Sequence, residues 1–193
     1  MSHPNPNPLR LGAVFRFQPV HSVHAAIVAA LAARADELVL GVGSADVRDA
    51  RNPFALEERL EMLAALGHDN LRLVPLPDLH DGPRWRAMVL ERLGPLERFV
   101  SANGYVRRLL GDAYRLAHPR ELVARSPVSG SRVRLAMARG EGWSALVPAP
   151  VAALLRARGL VDRFRREYGA ETLAAATAAL TRCPEEDEHV RVG

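Results

Sequence analysis

Lysine is missing from this chain: all 26 of its basic residues are arginines, set against 22 acids. A wholly arginine basic set reads as a compositional bias of the source, and the arginines are mixed with acids along the chain. Aromatics are scarce too, at 5%. A basic groove with interleaved aromatics is therefore not expected, and neither is a nucleic-acid partner. Cysteine is almost absent. Cys183 alone can close no internal disulfide and build no thiolate metal site, which fits a reducing, cytoplasmic setting.

Long apolar runs are lacking as well. A membrane span needs about 18 such residues, and the longest stretch here is broken by Arg34, so no membrane partner is expected. Residues 1–10 are rich in Pro and Asn without a charged start and apolar core; they read as a short disordered lead-in, not a secretory signal. Several phosphate and hydrolase motifs are also missing. No P-loop is possible without its lysine, Gly41-Val42-Gly43 lacks the remaining glycine of a dinucleotide fingerprint, and no Gly-x-Ser-x-Gly elbow occurs.

What remains is an ordinary globular composition, 48% apolar and 25% charged over 193 residues, enough for one core with a small appendage. Residues 11–17 and 37–42 are apolar runs without helical period and suit buried strands. An Ala/Leu-rich helix is expected between them, from about His21 to Arg34. A second helix is expected from Asn52 as cap and Pro53 as first residue to about Leu66, stopped by Gly67. Strands at 71–76 and 97–101, helices near 85–93 and 106–110, and a weaker strand at 114–117 continue the alternation. The part from about 129 to 181 reads as mainly helical, lying against the sheet or forming a small cap. Such alternation means an α/β fold, a parallel sheet flanked by helices. Ligands then sit beyond the carboxyl ends of the strands, which puts segments 15–24, 43–51, 77–85 and 101–104 on one rim.

His21 and His24 stand three apart at the opening of the first helix, where free N–H groups favour an anion. With Arg16 upstream they can form a phosphate cradle. The same residues could be ordinary surface or core histidines, or a metal pair, although the thermolysin-type signature needs a spacing of four with a Glu between. Asp78, His80 and Asp81 form another possible metal cluster, but acids in loops more often cap or turn.

From Arg16 to His24 the chain reads RFQPVHSVH, which resembles the RFQPxHxGH signature of the archaeal-type nicotinamide-nucleotide adenylyltransferases. The likeness continues through Gly41–Ala45, Arg51-Asn52-Pro53-Phe54 with Glu58-Arg59, Pro77-Asp78 with Trp85, and Ser101-Ala102-Asn103. Residues 129–134, SGSRVR, are similar to the family's SGTEIR phosphate motif, and Trp143 to Val151 fits as well. The resemblance implies a Rossmann-like nucleotidyltransferase fold with a helical C-terminal part. It covers an adenylyltransferase domain over about 11–168, followed by a C-terminal helix and polar tail over 169–193. It also implies a transferase that joins AMP from ATP to nicotinamide mononucleotide, giving NAD and pyrophosphate, with Mg²⁺ accompanying ATP. Carried over by position, His21, His24 and Arg134 would hold the ATP phosphates and serve catalysis. Arg16, Phe17, Gln18, Ser44, Arg51, Ser129 and Ser131 would bind substrate, while Trp85 would stack on the nicotinamide ring beside Asn103. No protein metal site is implied. A homo-oligomer is, since relatives are commonly hexamers.

Three positions depart from the family pattern. Val23 stands for the glycine between the histidines, adding bulk where the nucleotide would approach, and Phe15 stands for a glycine beside the same cradle. Gly82 stands where many relatives carry an Asn three residues before the tryptophan, which removes a partner for the nicotinamide carboxamide. Two other functions therefore stay in view: a related transferase with another phosphate acceptor, such as nicotinic acid mononucleotide, and a non-catalytic nucleotide binder. Phosphopantetheine enzymes typically carry an acid where Gln18 stands.

Overall fold

The computed structural model describes residues 8–181. Most of the expected lead-in, Cys183 and the end of the polar tail lie outside the described residues. Strand β1 (Arg10–Phe15) is followed by α1 (Ser22–Ala32), β2 (Glu37–Gly43), α2 (Leu56–Ala64), β3 (Leu71–Leu76) and α3 (Gly82–Leu93). Then come β4 (Arg98–Val100), α4 (Gly104–Leu110) and β5 (Leu116–Ala117). The C-terminal part holds α5 (Gly130–Arg139), α6 (Ala149–Ala157), α7 (Leu160–Phe164), a π-helical turn at Arg165–Gly169 and α8 (Ala170–Thr181). No helix among the described residues is long and apolar enough to cross a membrane.

The five strands pair in parallel in the order β3-β2-β1-β4-β5. Strand order reverses at β1, so the crevice for a ligand opens between the carboxyl ends of β1 and β4. Alternation along each strand feeds two cores. Leu11, Ala13, Leu38, Leu40 and Val42 face α1, α2 and the C-terminal helices, whereas Val39, Val74, Leu76 and Phe99 face α3 and α4. The helices after residue 129 therefore join the first of these cores, through Val133, Met137, Leu155 and Phe164, instead of forming a separate cap. Arg163 reinforces this docking: it pairs with Glu58 of α2 and donates to the Pro53 carbonyl at 3.1 Å.

Two expected boundaries moved because of contacts with distant segments. Arg10, placed in the lead-in by its sequence, opens β1; its guanidinium bonds Glu37 at 2.6 Å and the carbonyls of Leu93 and Pro95. The second helix starts at Leu56, not Pro53, and Ala55, not Asn52, stands at its cap. Asn52 instead donates its N–H and side-chain amide to Asp49 Oδ1, and the N–H of Ala55 goes to the Glu58 carboxylate at 2.9 Å. Phe54, between them, has both backbone polar groups held by Gln18 from another loop. That tertiary claim on its N–H and C=O keeps 52–54 out of the helix.

Candidate active site

β1 ends at Phe15 because Phe17 takes a left-handed φ of 53° and turns the chain out of the sheet. Phe17 is fully buried. Gln18 is buried as well: its Nε2 donates to the Phe54 carbonyl and its Oε1 accepts from the Phe54 N–H, both at 2.9 Å. Both ends of the amide are thus engaged with backbone, and the β1–α1 loop is locked to the loop before α2.

His21 caps α1, its Nδ1 accepting from the His24 N–H at 3.4 Å. A neutral imidazole that accepts at Nδ1 carries its proton on Nε2. The two rings stack with centroids 3.7 Å apart, and His24 also lies against Phe15 and Phe17 at 5.2 and 4.8 Å. Burial first, then the Arg134 charge, pushes the His21 pKa down to about 4. Burial, and then His21, pushes His24 well below the ordinary imidazole value, against a raising effect of the Pro19 backbone. At neutral pH the pair is uncharged and offers N–H donors, not cations. The Nδ1 of His24 is buried without a hydrogen-bond partner.

The buried cation among these groups comes from α5. Arg134 is buried, donates to the Gln18 carbonyl at 2.7 Å and reaches Ser131 Oγ at 3.3 Å. Burial and the neighbouring Arg16 lower its pKa to about 10, so it stays charged at neutral pH. Ser129 caps the same helix, its Oγ accepting from the Arg132 N–H. Gly130 permits the approach: a Cβ there would lie 3.0 Å from the Gln18 carbonyl oxygen and 3.1 Å from Arg134 Nη1.

These groups face one cavity of about 740 Å³ at the switch point, within the range of small-ligand sites. Arg16, Phe17, Gln18, His21 and His24 line one side, and Ser129, Ser131 and Arg134 another. Ser44, at the end of β2, and Trp85 and Asn103, from α3 and the start of α4, also line it. Ser44 is buried at a left-handed φ of 49°. Trp85 packs on the α3/α4 core and also borders the cavity. Asn103 caps α4, its Oδ1 accepting from the N–H groups of Tyr105 and Val106. Arg51 is exposed and outside the lining, yet close enough for its charge to depress Arg134.

One of the three departures from the family pattern, Val23, sits differently from what bulk alone suggests. Val23 packs into the main core and does not line the cavity, so its branched side chain adds no bulk there. Phe15 does line the cavity, where it supports His24. Asp78, His80 and Asp81 also border it. Asp81 caps α3 through the Arg84 N–H at 2.9 Å. Among the described residues no three His, Cys, Asp or Glu side chains are grouped to hold a metal ion.

Arg59 escapes sequence inspection as a site residue. It is fully buried and donates to the carbonyls of Arg16, Gly43 and Ser44 at 3.0, 2.8 and 3.2 Å, tying the carboxyl ends of β1 and β2 together. Its signal was available: it shares a helical face with Met62 and Leu63, an apolar stripe where an arginine is out of place. Arg107 does the same for the other half of the sheet, donating to the Ser101 and Ala117 carbonyls at 3.0 Å each.

A cytidylyltransferase-like family model matches residues 15–80. The nicotinamide-nucleotide adenylyltransferase of Methanosarcina mazei is 36% identical over 154 residues, covering 78% of this chain and 89% of that protein. The protein of the same name from Methanoculleus marisnigri is 33% identical over 160 residues, covering 81% and 95%. Among solved structures, a bifunctional NMN adenylyltransferase/ADP ribose pyrophosphatase from Francisella tularensis, complexed with AMP and a Mn ion, superposes with a TM-score of 0.68 at 14% identity. The superposition covers 92% of this chain but only 57% of that one. At that identity the likeness is one of fold.

Proposed function

The chain belongs to the nicotinamide-nucleotide adenylyltransferase family, and we propose that it transfers the adenylyl group of ATP to nicotinamide mononucleotide, releasing NAD and pyrophosphate. The observation that carries this reading is the cavity at the switch point, bordered by the paired imidazoles, a buried arginine and a tryptophan. The lining combines hydrogen-bond donors suited to phosphate with an aromatic ring suited to a base or pyridine.

In this reaction an oxygen of the acceptor's phosphate attacks the α-phosphorus of ATP. The new P–O bond forms as the bond to the pyrophosphate oxygen breaks. The attacking phosphate is largely ionised at neutral pH, its second pKa being about 6, so no general base is required. Catalysis then rests on positioning and on donors aimed at the developing charge. We assign those donors to His21 and His24, whose lowered pKa values keep them neutral in the free protein, and to Arg134 and Arg16. Ser129, Ser131 and the N-terminus of α5 would hold further phosphate oxygens. Arg51 would approach from the rim. Trp85 would stack on the pyridine ring, with Asn103 and Ser44 beside the acceptor. Phe17 and Gln18 would act by holding the loop in shape.

Mg²⁺ bound to ATP would shield the charge of the leaving pyrophosphate. With no cluster of three ligating side chains among the described residues, its ligands would come chiefly from phosphate and water, as this ion prefers.

The test is a product assay with ATP, Mg²⁺ and nicotinamide mononucleotide, run beside nicotinic acid mononucleotide. NAD and pyrophosphate in equal amounts support the reading. Product only from the nicotinic acid substrate would move the activity to that acceptor, and nucleotide binding with no product would make the protein a binder.

A further inference from the structure

We infer that Tyr105 is an acceptor-binding residue, its hydroxyl occupying the space left by the missing side chain of Gly82 and presenting a hydrogen-bonding group to the ring substituent of the mononucleotide. The inference rests on the proposed function, which it deepens. Gly82 opens α3 without a left-handed φ, so the backbone does not demand glycine there. Space does. A Cβ at position 82 would lie 2.5 Å from the Tyr105 hydroxyl oxygen, far inside contact distance, although 3.6 Å from the ring carbon that bears it.

Tyr105 comes from the start of α4, so two helices meet at this point. Its ring is half exposed, borders the cavity together with Trp85 and Asp81, and has the Arg108 guanidinium 6.0 Å from its centroid. Among the described residues the hydroxyl makes no hydrogen bond, although it points at a helix surface. Position 82 and Trp85 are three apart and share a face of α3. A pyridine ring stacked on Trp85 would therefore bring its edge toward the Tyr105 hydroxyl. A carboxamide both donates and accepts, and so does a phenol, which lets the one group serve either end.

The experiment compares steady-state kinetics of the unaltered protein, Tyr105→Phe, Gly82→Ala and the double variant. Tyr105→Phe keeps the ring and loses one hydrogen bond. The KM for nicotinamide mononucleotide should rise about five- to tenfold with the KM for ATP within about twofold. Gly82→Ala should raise the same KM by displacing the hydroxyl. In the double variant the methyl group meets the Leu109 side chain at 3.5 Å and the ring carbon at 3.6 Å, both ordinary contacts, so the two effects should not add. Unchanged acceptor KM in Tyr105→Phe, or equal rises for ATP and acceptor, overturns the inference while leaving the activity intact. Additive effects in the double variant likewise overturn it. Absence of NAD formation by the unaltered protein overturns instead the reading on which it rests. Thermal melts of each variant separate a folding defect from a binding one.

Discussion

The side chain of Gln18 holds both backbone polar groups of Phe54, accepting from its N–H and donating to its C=O at 2.9 Å each. The residues are 36 apart in sequence, and the pair fixes how the cradle before α1 meets the loop before α2. Replacing Gln18 with Met keeps the volume and leaves two buried backbone groups without partners. Each orphan costs about 1–3 kcal/mol, so urea denaturation should show a loss of at least about 2 kcal/mol. A change within about 0.5 kcal/mol would mean that the loops are held by other contacts.

Arg59 presents a separate case, because three of its four carbonyl partners lie at the ends of the strands that carry the site. Arg59→Lys retains the charge but not the forked donors. We expect a loss of about 1–3 kcal/mol in stability, together with a fall in kcat of about tenfold or more, since misplaced donors weaken charge stabilisation. Full activity in Arg59→Lys would show that charge alone, not the fork, orders the rim.

His24→Ala removes an N–H donor that the proposed reaction aims at the phosphates. A donor that acts in the transition state is worth at least about tenfold in kcat, and the circular dichroism spectrum should stay native. Phe15 and Phe17 also pack on this ring, so some loss of stability is expected as well. Native kcat in a folded variant would remove His24 from the chemistry.

Stability should depend on acidity through the histidine pair. Both imidazoles titrate lower in the folded chain than in the unfolded one, His21 near 4 against an ordinary 6.5. Between those values the unfolded chain binds more protons, so stability rises with pH across that window and levels off above it. For His21 alone the span is on the order of 3 kcal/mol. Urea midpoints at pH 4.5 and 7.5 should differ accordingly, and His21→Gln should flatten the difference. Equal midpoints in the unaltered protein would show that the buried imidazoles do not resist protonation.

The alternation of apolar runs and helical segments was enough to place the parallel sheet, its rim and the helical C-terminal part, because side-chain period and turn chemistry are local properties. The cluster of Arg16, His21 and His24 was legible for the same reason: it lies within one strand-to-helix turn. Other features depend on contacts between distant segments. Asn52 and Pro53 form a sound helix start in sequence, yet Gln18 holds Phe54 outside the helix. Val23 looked like an obstruction until the helix turned it into the core.

Sequence by itself thus determined the fold class and the rim that carries the cavity, through patterns that a single strand or helix already expresses. Only the tertiary structure decided how Arg134, 116 residues from Gln18, is held at the cradle, by bonding the Gln18 carbonyl. It alone decided that Arg59 is buried beneath the rim and that the Tyr105 hydroxyl fills the space beside Gly82. Each of these is a long-range hydrogen bond or a steric fit, and no periodicity along one segment records which distant group will arrive to meet it.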